Sequence, residues 1–141
     1  MALRNFTDVQ VGDELPERTF ELTRGDLVNY AGVTGDPNPI HWSDHVVKLA
    51  GLDDVIAQGM LTMSLGSNFV ADWLGDPGSI KDYAIKFIKP VFVPADEKAV
   101  LKYSGKIKSL DPETKTGVVF LTVTQGERKV AGKPVATVQF A

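Results

Sequence analysis

Along the second half of the chain, apolar and polar residues alternate with a period of two. In KAVLKYSGKIK, Ala99, Leu101, Tyr103 and Ile107 share one face, while Lys98, Lys102, Lys106 and Lys108 point the other way. That is the pattern of a half-buried strand. Tyr83, Ile85 and Phe87 alternate in the same way ahead of Pro90, and LDPETKTG places Asp, Pro and Gly where a turn wants them. GVVFLTVTQ and KPVATVQFA supply the last strands. Residues 79 to 141 therefore predict strands joined by short turns, which favours an antiparallel sheet.

The first 75 residues predict loops and helices, with one early strand near 18 to 23. TRGD announces the first helix: Thr23 can cap the backbone and Asp26 stands three residues on as its reciprocal partner. Ser43 can cap a second, short helix that Gly51 ends. A third helix runs from about 60 to 74. Met60, Leu61, Met63, Leu65, Phe69, Val70, Trp73 and Leu74 cover most of its circumference, so it predicts a buried helix. One buried helix followed by a long antiparallel sheet gives an α+β fold in which the sheet wraps the helix.

Composition narrows the chemistry. The chain has 141 residues, 43% of them hydrophobic and 23% charged, which suits a single domain over 1–141 that buries its own core. The net charge of −3 gives no electrostatic case for a nucleic-acid partner. Cysteine is absent, which excludes disulfides and thiolate chemistry. The only two histidines are His41 and His45, a poor basis for a metal site, and no metal or cofactor is expected. The N-terminus has no apolar run suited to a signal peptide, and no stretch approaches the ~18 apolar residues of a membrane span. The expectation is a cytoplasmic protein.

The stretch VTGDPNPIH, residues 33 to 41, is the one place where polar chemistry concentrates. Asp36 and Asn38 each precede a proline and are pushed into extended conformations, while Gly35 can take backbone angles closed to other residues. A stiff loop results, leading to His41. An acid and an imidazole on such a loop can converge on one proton or one water. The same residues also make a good turn, with Asp and Asn satisfying backbone donors and His41 a hydrogen-bonded core residue. The residue types alone leave both readings open.

The longer stretch YAGVTGDPNPIHWSD, Tyr30 to Asp44, resembles the signature of the MaoC-like (R)-specific enoyl hydratases. QGMLTMSLGS, Gln58 to Ser67, resembles the family's second segment, and FIKPVFVPAD resembles the strand pair that follows its long helix. More narrowly, the opening VGDELPE and the motif order resemble the catalytic B subunit of actinobacterial type II fatty-acid synthase (3R)-hydroxyacyl-ACP dehydratases. The resemblance implies a hot-dog fold and a hydro-lyase activity: reversible syn dehydration and hydration of (3R)-hydroxyacyl and trans-2-enoyl thioesters, carried on acyl carrier protein or coenzyme A. Asp36 and His41 fall on the family's catalytic pair, with His41 the favoured base and Asp36 the favoured acid.

Gly59 falls on the family's oxyanion donor, a backbone N–H at a helix N-terminus. A helix start suits that role, because its unpaired N–H groups face developing negative charge. Asn38 is expected to order the loop. Ser67 is either a supporting polar residue or a small packing residue. Gln58 departs from the His found in many members, but it still donates and accepts hydrogen bonds. His45 is expected on a solvated helix face, and Trp73 and Phe69 in the core. The alternating lysines are a solvated face or a contact for carrier phosphates. The resemblance also implies a paired assembly, a homodimer or a heterodimer with a related hot-dog subunit. Two rival functions remain: a noncatalytic acyl-binding subunit, or a hot-dog thioesterase.

Overall fold

The computed structural model describes residues 2–141. Its elements follow in the order β1 (Glu14–Leu22), α1 (Arg24–Thr34), α2 (Asp44–Leu49), α3 (Gly59–Leu74), β2 (Ile80–Phe87), β3 (Ala99–Asp111), β4 (Thr116–Gln125), β5 (Arg128–Lys129) and β6 (Ala131–Gln139), with short 3₁₀ turns at 6–8, 39–41 and 77–79. The early strand thus starts four residues ahead of the expected 18. Every strand pairing is antiparallel. The sheet order is β1-β3-β4-β6-β2, with β5 folded back on β4.

The alternation in β3 becomes the inner and outer faces of the sheet. Leu101, Tyr103 and Ile107 are buried, and they meet Val119, Leu121 and Val123 of β4 and Ala136 and Val138 of β6 in one apolar core. Three of the four lysines of the run at 98–108 are paired. Register against β1 sets Lys98 against Glu21 (2.5 Å), Lys102 against Glu17 (3.4 Å) and Lys106 against Glu14 (3.7 Å). These are exposed pairs worth little stability, but they neutralise most of the run.

α3 lies across the inner face and touches β1 and β2, the two strands at opposite ends of the sheet order. Phe69, Val70 and Leu74 are buried there. The approach is close because Gly66 faces the sheet. A Cβ at Gly66 would sit 2.1 Å from the Tyr83 hydroxyl and 3.2 Å from the Tyr103 ring. The Tyr103 hydroxyl donates to the Thr62 carbonyl at 2.8 Å, bolting the helix to β3. The Tyr83 hydroxyl is buried with no partner, and burial pushes its phenol up to about 12.

The helix is not buried all round, as its composition suggested. Met60, Ser64, Asn68 and Asp72 form an outward row, and Met60 is 59% exposed. The apolar count of α3 exceeds what one sheet can cover. The core takes the ridge through Thr62, Gly66, Phe69 and Val70 and leaves Met60 out. At the other end of α3, the Arg4 guanidinium donates to the Trp73 carbonyl (3.1 and 3.0 Å). It places a cation where the helix dipole is negative.

The packing at Gly66 predicts a measurable coupling. Gly66→Ala should destabilise the fold despite the ~1 kcal/mol that alanine gains in a helix interior, because overpacking costs about 1–3 kcal/mol. In a Tyr83→Phe background, where the clashing oxygen is gone, the same substitution should cost at least ~1 kcal/mol less. Urea midpoints of the four proteins check this, and additive losses would show that Tyr83 is not what Gly66 makes room for.

Candidate active site

The site begins at the C-terminus of α1. Thr23 and Asp26 form the reciprocal cap at its start, and Gly35 ends it in the left-handed conformation (φ 71°). The Asp36 N–H bonds back to the Ala31 carbonyl at 3.2 Å, so Asp36 leaves the helix in a fixed direction. Two successive side-chain turns then stiffen the loop. Asp36 Oδ1 accepts from the Asn38 N–H, and Asn38 Oδ1 accepts from the Ile40 N–H, both at 3.2 Å. The Trp42 indole N–H donates to the Pro37 carbonyl at 3.2 Å. Asn38 thus orders the loop and offers its side chain to no other group.

His41 closes this loop and is only 7% exposed. Its Nδ1 lies 2.6 Å from the Ile56 carbonyl oxygen. A carbonyl only accepts, so Nδ1 carries the proton and the neutral ring keeps its lone pair on Nε2. Nε2 faces Asp36 Oδ2 at 3.5 Å. The two oxygens of Asp36 therefore divide their work: Oδ1 holds the loop, and Oδ2 addresses the imidazole. The Asp36 side chain stays 43% exposed, within reach of water.

Ile56 is held as firmly as the histidine it orients. Its N–H donates to the Ile40 carbonyl at 3.1 Å. The neighbouring Ala57 N–H donates to the Val91 carbonyl and the Val93 N–H to the Val55 carbonyl, each at 2.9 Å. The side chain of Gln125 braces the same strip, meeting the Phe92 N–H at 3.1 Å and its carbonyl at 2.6 Å. Arg24 ties the remaining segments together. Its guanidinium reaches the Val93 carbonyl (3.0 Å), Asp54 (2.5 Å) and both oxygens of Asp44 (3.1 and 2.9 Å). The Asp44 carboxylate keeps a pKa below its ordinary value because Arg24 hydrogen-bonds it.

Gly59 is the first residue of α3, where N–H groups have no intrahelical acceptor. Gln58 precedes it but does not cap it. The Gln58 amide is buried and donates to the Leu27 carbonyl of α1 at 2.9 Å, leaving its oxygen without a partner. It is a brace between α1 and the start of α3. Space is also tight here, because a Cβ would sit 3.0 Å from the Phe87 ring.

His41 and Gly59 line one cleft of about 360 Å³, together with Ile56, Thr62 and the segment Phe87–Val91. Apolar walls with a few convergent polar groups are the usual form of a small-molecule site. Asp36 reaches it through His41. Ser67 does not belong to it: it is half-buried, off the cleft wall, and about 12 Å along the helix from Gly59 at 1.5 Å per residue. His45 is exposed on α2. Among the described residues, no group of three or more His, Asp and Glu could hold a metal ion.

Arg24, the Ile56 carbonyl, Thr62 and Lys89 were not singled out in the sequence. Lys89 stood inside the quoted FIKPVFVPAD. Arg24 stands beside the Thr23 cap, and its own partners, Asp54 and the Val93 carbonyl, are distant in sequence. The Ile56 carbonyl belongs to the main chain and has no signature in residue type.

Comparison with known proteins agrees with this geometry. Residues 8–126 match the MaoC like domain, and the chain belongs to the MaoC-like family. It is 37% identical over 81 residues to 3-hydroxyacyl-thioester dehydratase X of Mycobacterium tuberculosis, covering 57% of this chain and 28% of that protein. It is 28% identical over 127 residues to 3-hydroxybutyryl-CoA dehydratase of Methylorubrum extorquens, covering 89% of this chain and 77% of that one. A solved structure of a MaoC-like dehydratase superposes with a TM-score of 0.97 at 52% identity over 99% of this chain, which spans 43% of the longer chain. The fold is the hot-dog fold, α+β, with the antiparallel sheet curled on α3.

The Arg24 clamp can be tested by Arg24→Met, which keeps the aliphatic stem and removes every donor. Stranding Asp54 and the Val93 carbonyl should cost about 2–4 kcal/mol by denaturant unfolding. A loss under about 0.5 kcal/mol, the range of ordinary surface changes, would show that the clamp is incidental.

Proposed function

We propose that the chain is a hydro-lyase that interconverts (3R)-hydroxyacyl and trans-2-enoyl thioesters by syn removal and addition of water. One observation carries the reading: the Nδ1 of His41 is committed to the Ile56 carbonyl, which leaves Nε2 toward Asp36, on a residue that lines the same cleft as Gly59. The names of two relatives, one a 3-hydroxyacyl-thioester dehydratase and one a 3-hydroxybutyryl-CoA dehydratase, support the same substrate class.

In dehydration, Nε2 takes the C2 proton. The electrons move toward the thioester carbonyl, and its oxygen becomes negative against the Gly59 N–H at the start of α3. Asp36, carrying the pair's mobile proton on Oδ2, gives it to the C3 hydroxyl as the C–O bond breaks, and water leaves. Both proton transfers come from one side of the substrate, which accounts for a syn course. Moving the proton from Nε2 back to Oδ2, across 3.5 Å or through one water, restores the starting state. Hydration runs the same steps in reverse. Asn38 and Gln58 are positioning residues, and Ser67 has no part in this scheme.

An assay with trans-2-enoyl thioesters tests the reading. Hydration consumes the enoyl absorbance, a thioesterase releases free thiol, and a noncatalytic subunit does neither. Asp36→Asn and His41→Gln should each lower turnover by at least ~100-fold, the scale of general acid–base catalysis, while circular dichroism stays native. Near-normal turnover in either folded variant would remove that residue from the mechanism.

We further propose that this chain is one catalytic unit of a pair. Phe87 and Ile88 line the cleft at 42% and 50% exposure, and Met60, next to Gly59 in the chain, is 59% exposed; these are apolar side chains that one unit leaves to water. The solved chain at 52% identity is more than twice as long as the region matched, with length for a second unit. The partner is a second copy or a related hot-dog unit, and the location is the cytoplasm. Sedimentation at low micromolar concentration should show a dimer, alone or with the related unit. A monomer with full activity on long acyl thioesters would exclude pairing as a requirement.

A further inference from the structure

The chain's cations fall into two groups. Arg18, Arg24, Lys98, Lys102 and Lys106 are each in an ion pair with a carboxylate. The other ten, Arg4, Lys48, Lys81, Lys86, Lys89, Lys108, Lys115, Arg128, Lys129 and Lys133, are in none among the described residues, and two short segments bring five of them, Lys86, Lys89, Arg128, Lys129 and Lys133, together. The Ile88 and Lys89 N–H groups both donate to the Val130 carbonyl (3.1 and 3.3 Å), and Lys86 is in register with Gly132. Neither 86–95 nor 128–141 contains an Asp or Glu, although the whole chain carries 18 acids against 15 bases. A lysine run is ordinarily a solvated face. In this protein three of the four lysines of the comparable run at 98–108 are matched by glutamates, whereas the cluster at 86–89 and 128–133 is left unmatched.

The cluster adjoins the site. Lys89 lines the same cleft as His41 and Gly59. Arg128 is pinned beside it: its Nη2 donates to the carbonyl of Pro90, a cleft residue, at 3.3 Å, and its guanidinium stands 5.0 Å from the centre of the Phe92 ring. The cleft therefore has apolar walls, a buried imidazole within and an unpaired cationic rim. That arrangement fits an amphiphilic ligand whose far end is anionic.

We propose that Lys89 and Arg128 form a subsite for a phosphate on the carrier arm of the thioester substrate. The proposal rests on the hydro-lyase reading. Phosphate of this kind occurs in coenzyme A and in the phosphopantetheine arm of a carrier protein, and the rim's chemistry is common to both. Arg128 offers a planar fork held in place, and Lys89 a mobile point charge at the cleft wall. Neither touches the reacting atoms, so both act on binding.

The test compares one enoyl group on three thiols: N-acetylcysteamine, which has no phosphate, coenzyme A, and a phosphopantetheinylated carrier protein. In Lys89→Gln/Arg128→Gln, kcat/KM on the two phosphate-bearing thioesters should fall at least about tenfold relative to the N-acetylcysteamine thioester, the scale of a lost charge-assisted contact. The loss should lie in KM. Wild-type KM on coenzyme A thioesters should rise with salt, and the double variant should lose that dependence. Lys89→Arg should restore most of the preference. A loss confined to coenzyme A would assign the rim to its nucleotide phosphates, and a loss on both carriers to the shared pantetheine phosphate. Equal losses on all three thiols, or no loss, would overturn the subsite. Calorimetric binding of free coenzyme A to both proteins separates the two levels. Charge-dependent binding without turnover keeps the subsite and sinks the hydro-lyase reading, and turnover without charge dependence does the reverse.

Discussion

How near α3 can come to the sheet governs everything else in this molecule. Gly66 removes the side chain at the point of contact, and the Tyr103 hydroxyl holds the Thr62 carbonyl from the other side. Once the helix is seated at that depth, its first residue is seated too. Gly59 arrives under the Phe87 ring, on the wall of the cleft. A helix standing off by one methyl group would carry the proposed oxyanion donor away from an imidazole that is anchored elsewhere. Core packing and site geometry are one constraint at this point.

The imidazole is anchored by backbone. Its orientation depends on the Ile56 carbonyl, and that carbonyl depends on a strip of chain pairing 55–57 with 91–93. The sheet supplies rigidity at second hand, because Gln125 of β4 grips Phe92 within the strip. The site is thus assembled from three short segments, 36–41, 56–59 and 87–91, of which only Phe87, at the end of β2, belongs to the sheet. Each is fastened to a regular element by one or two polar contacts. Function sits on loops that a scaffold positions, and here the fasteners can be named individually.

Much of this was legible in the chain. The reciprocal cap of Thr23 and Asp26, the glycine stop at 35, the period of two in β3 and the proline-stiffened loop each follow from local chemistry, and local chemistry is what a single sequence displays. Other features depend on partners distant in sequence. The glutamates that neutralise the β3 lysines are on β1, and only register reveals the match. Arg24 reaches Asp54 and Val93 across the fold. α3 looked apolar all round because composition does not say which side the sheet takes. Ser67 matched a family position yet lies two turns from Gly59 and off the cleft wall, where sequence matching carries no distance. Where Asp36, His41 and Gly59 sit relative to one another was beyond the sequence, since the link is a main-chain oxygen.

The two side-chain turns at Asp36 and Asn38 have a consequence of their own. Their bonds stay inside the loop, so they keep it stiff without fastening it to the rest of the protein. What fastens it is few in number: the Asp36 N–H on the Ala31 carbonyl, the Ile40–Ile56 pairing with Ile40 packed on the core, the His41–Ile56 contact and the Arg24 clamp reaching Asp44 just beyond. A segment that is rigid within and lightly tied without opens as one piece, at a free energy below that of global unfolding. The amides of 38 to 43 should then exchange with solvent together, well ahead of those in β3 and β4. Warming such a protein should then separate two events that a single melting curve merges: the loop over 36–41 comes apart while the sheet and its helix are still folded.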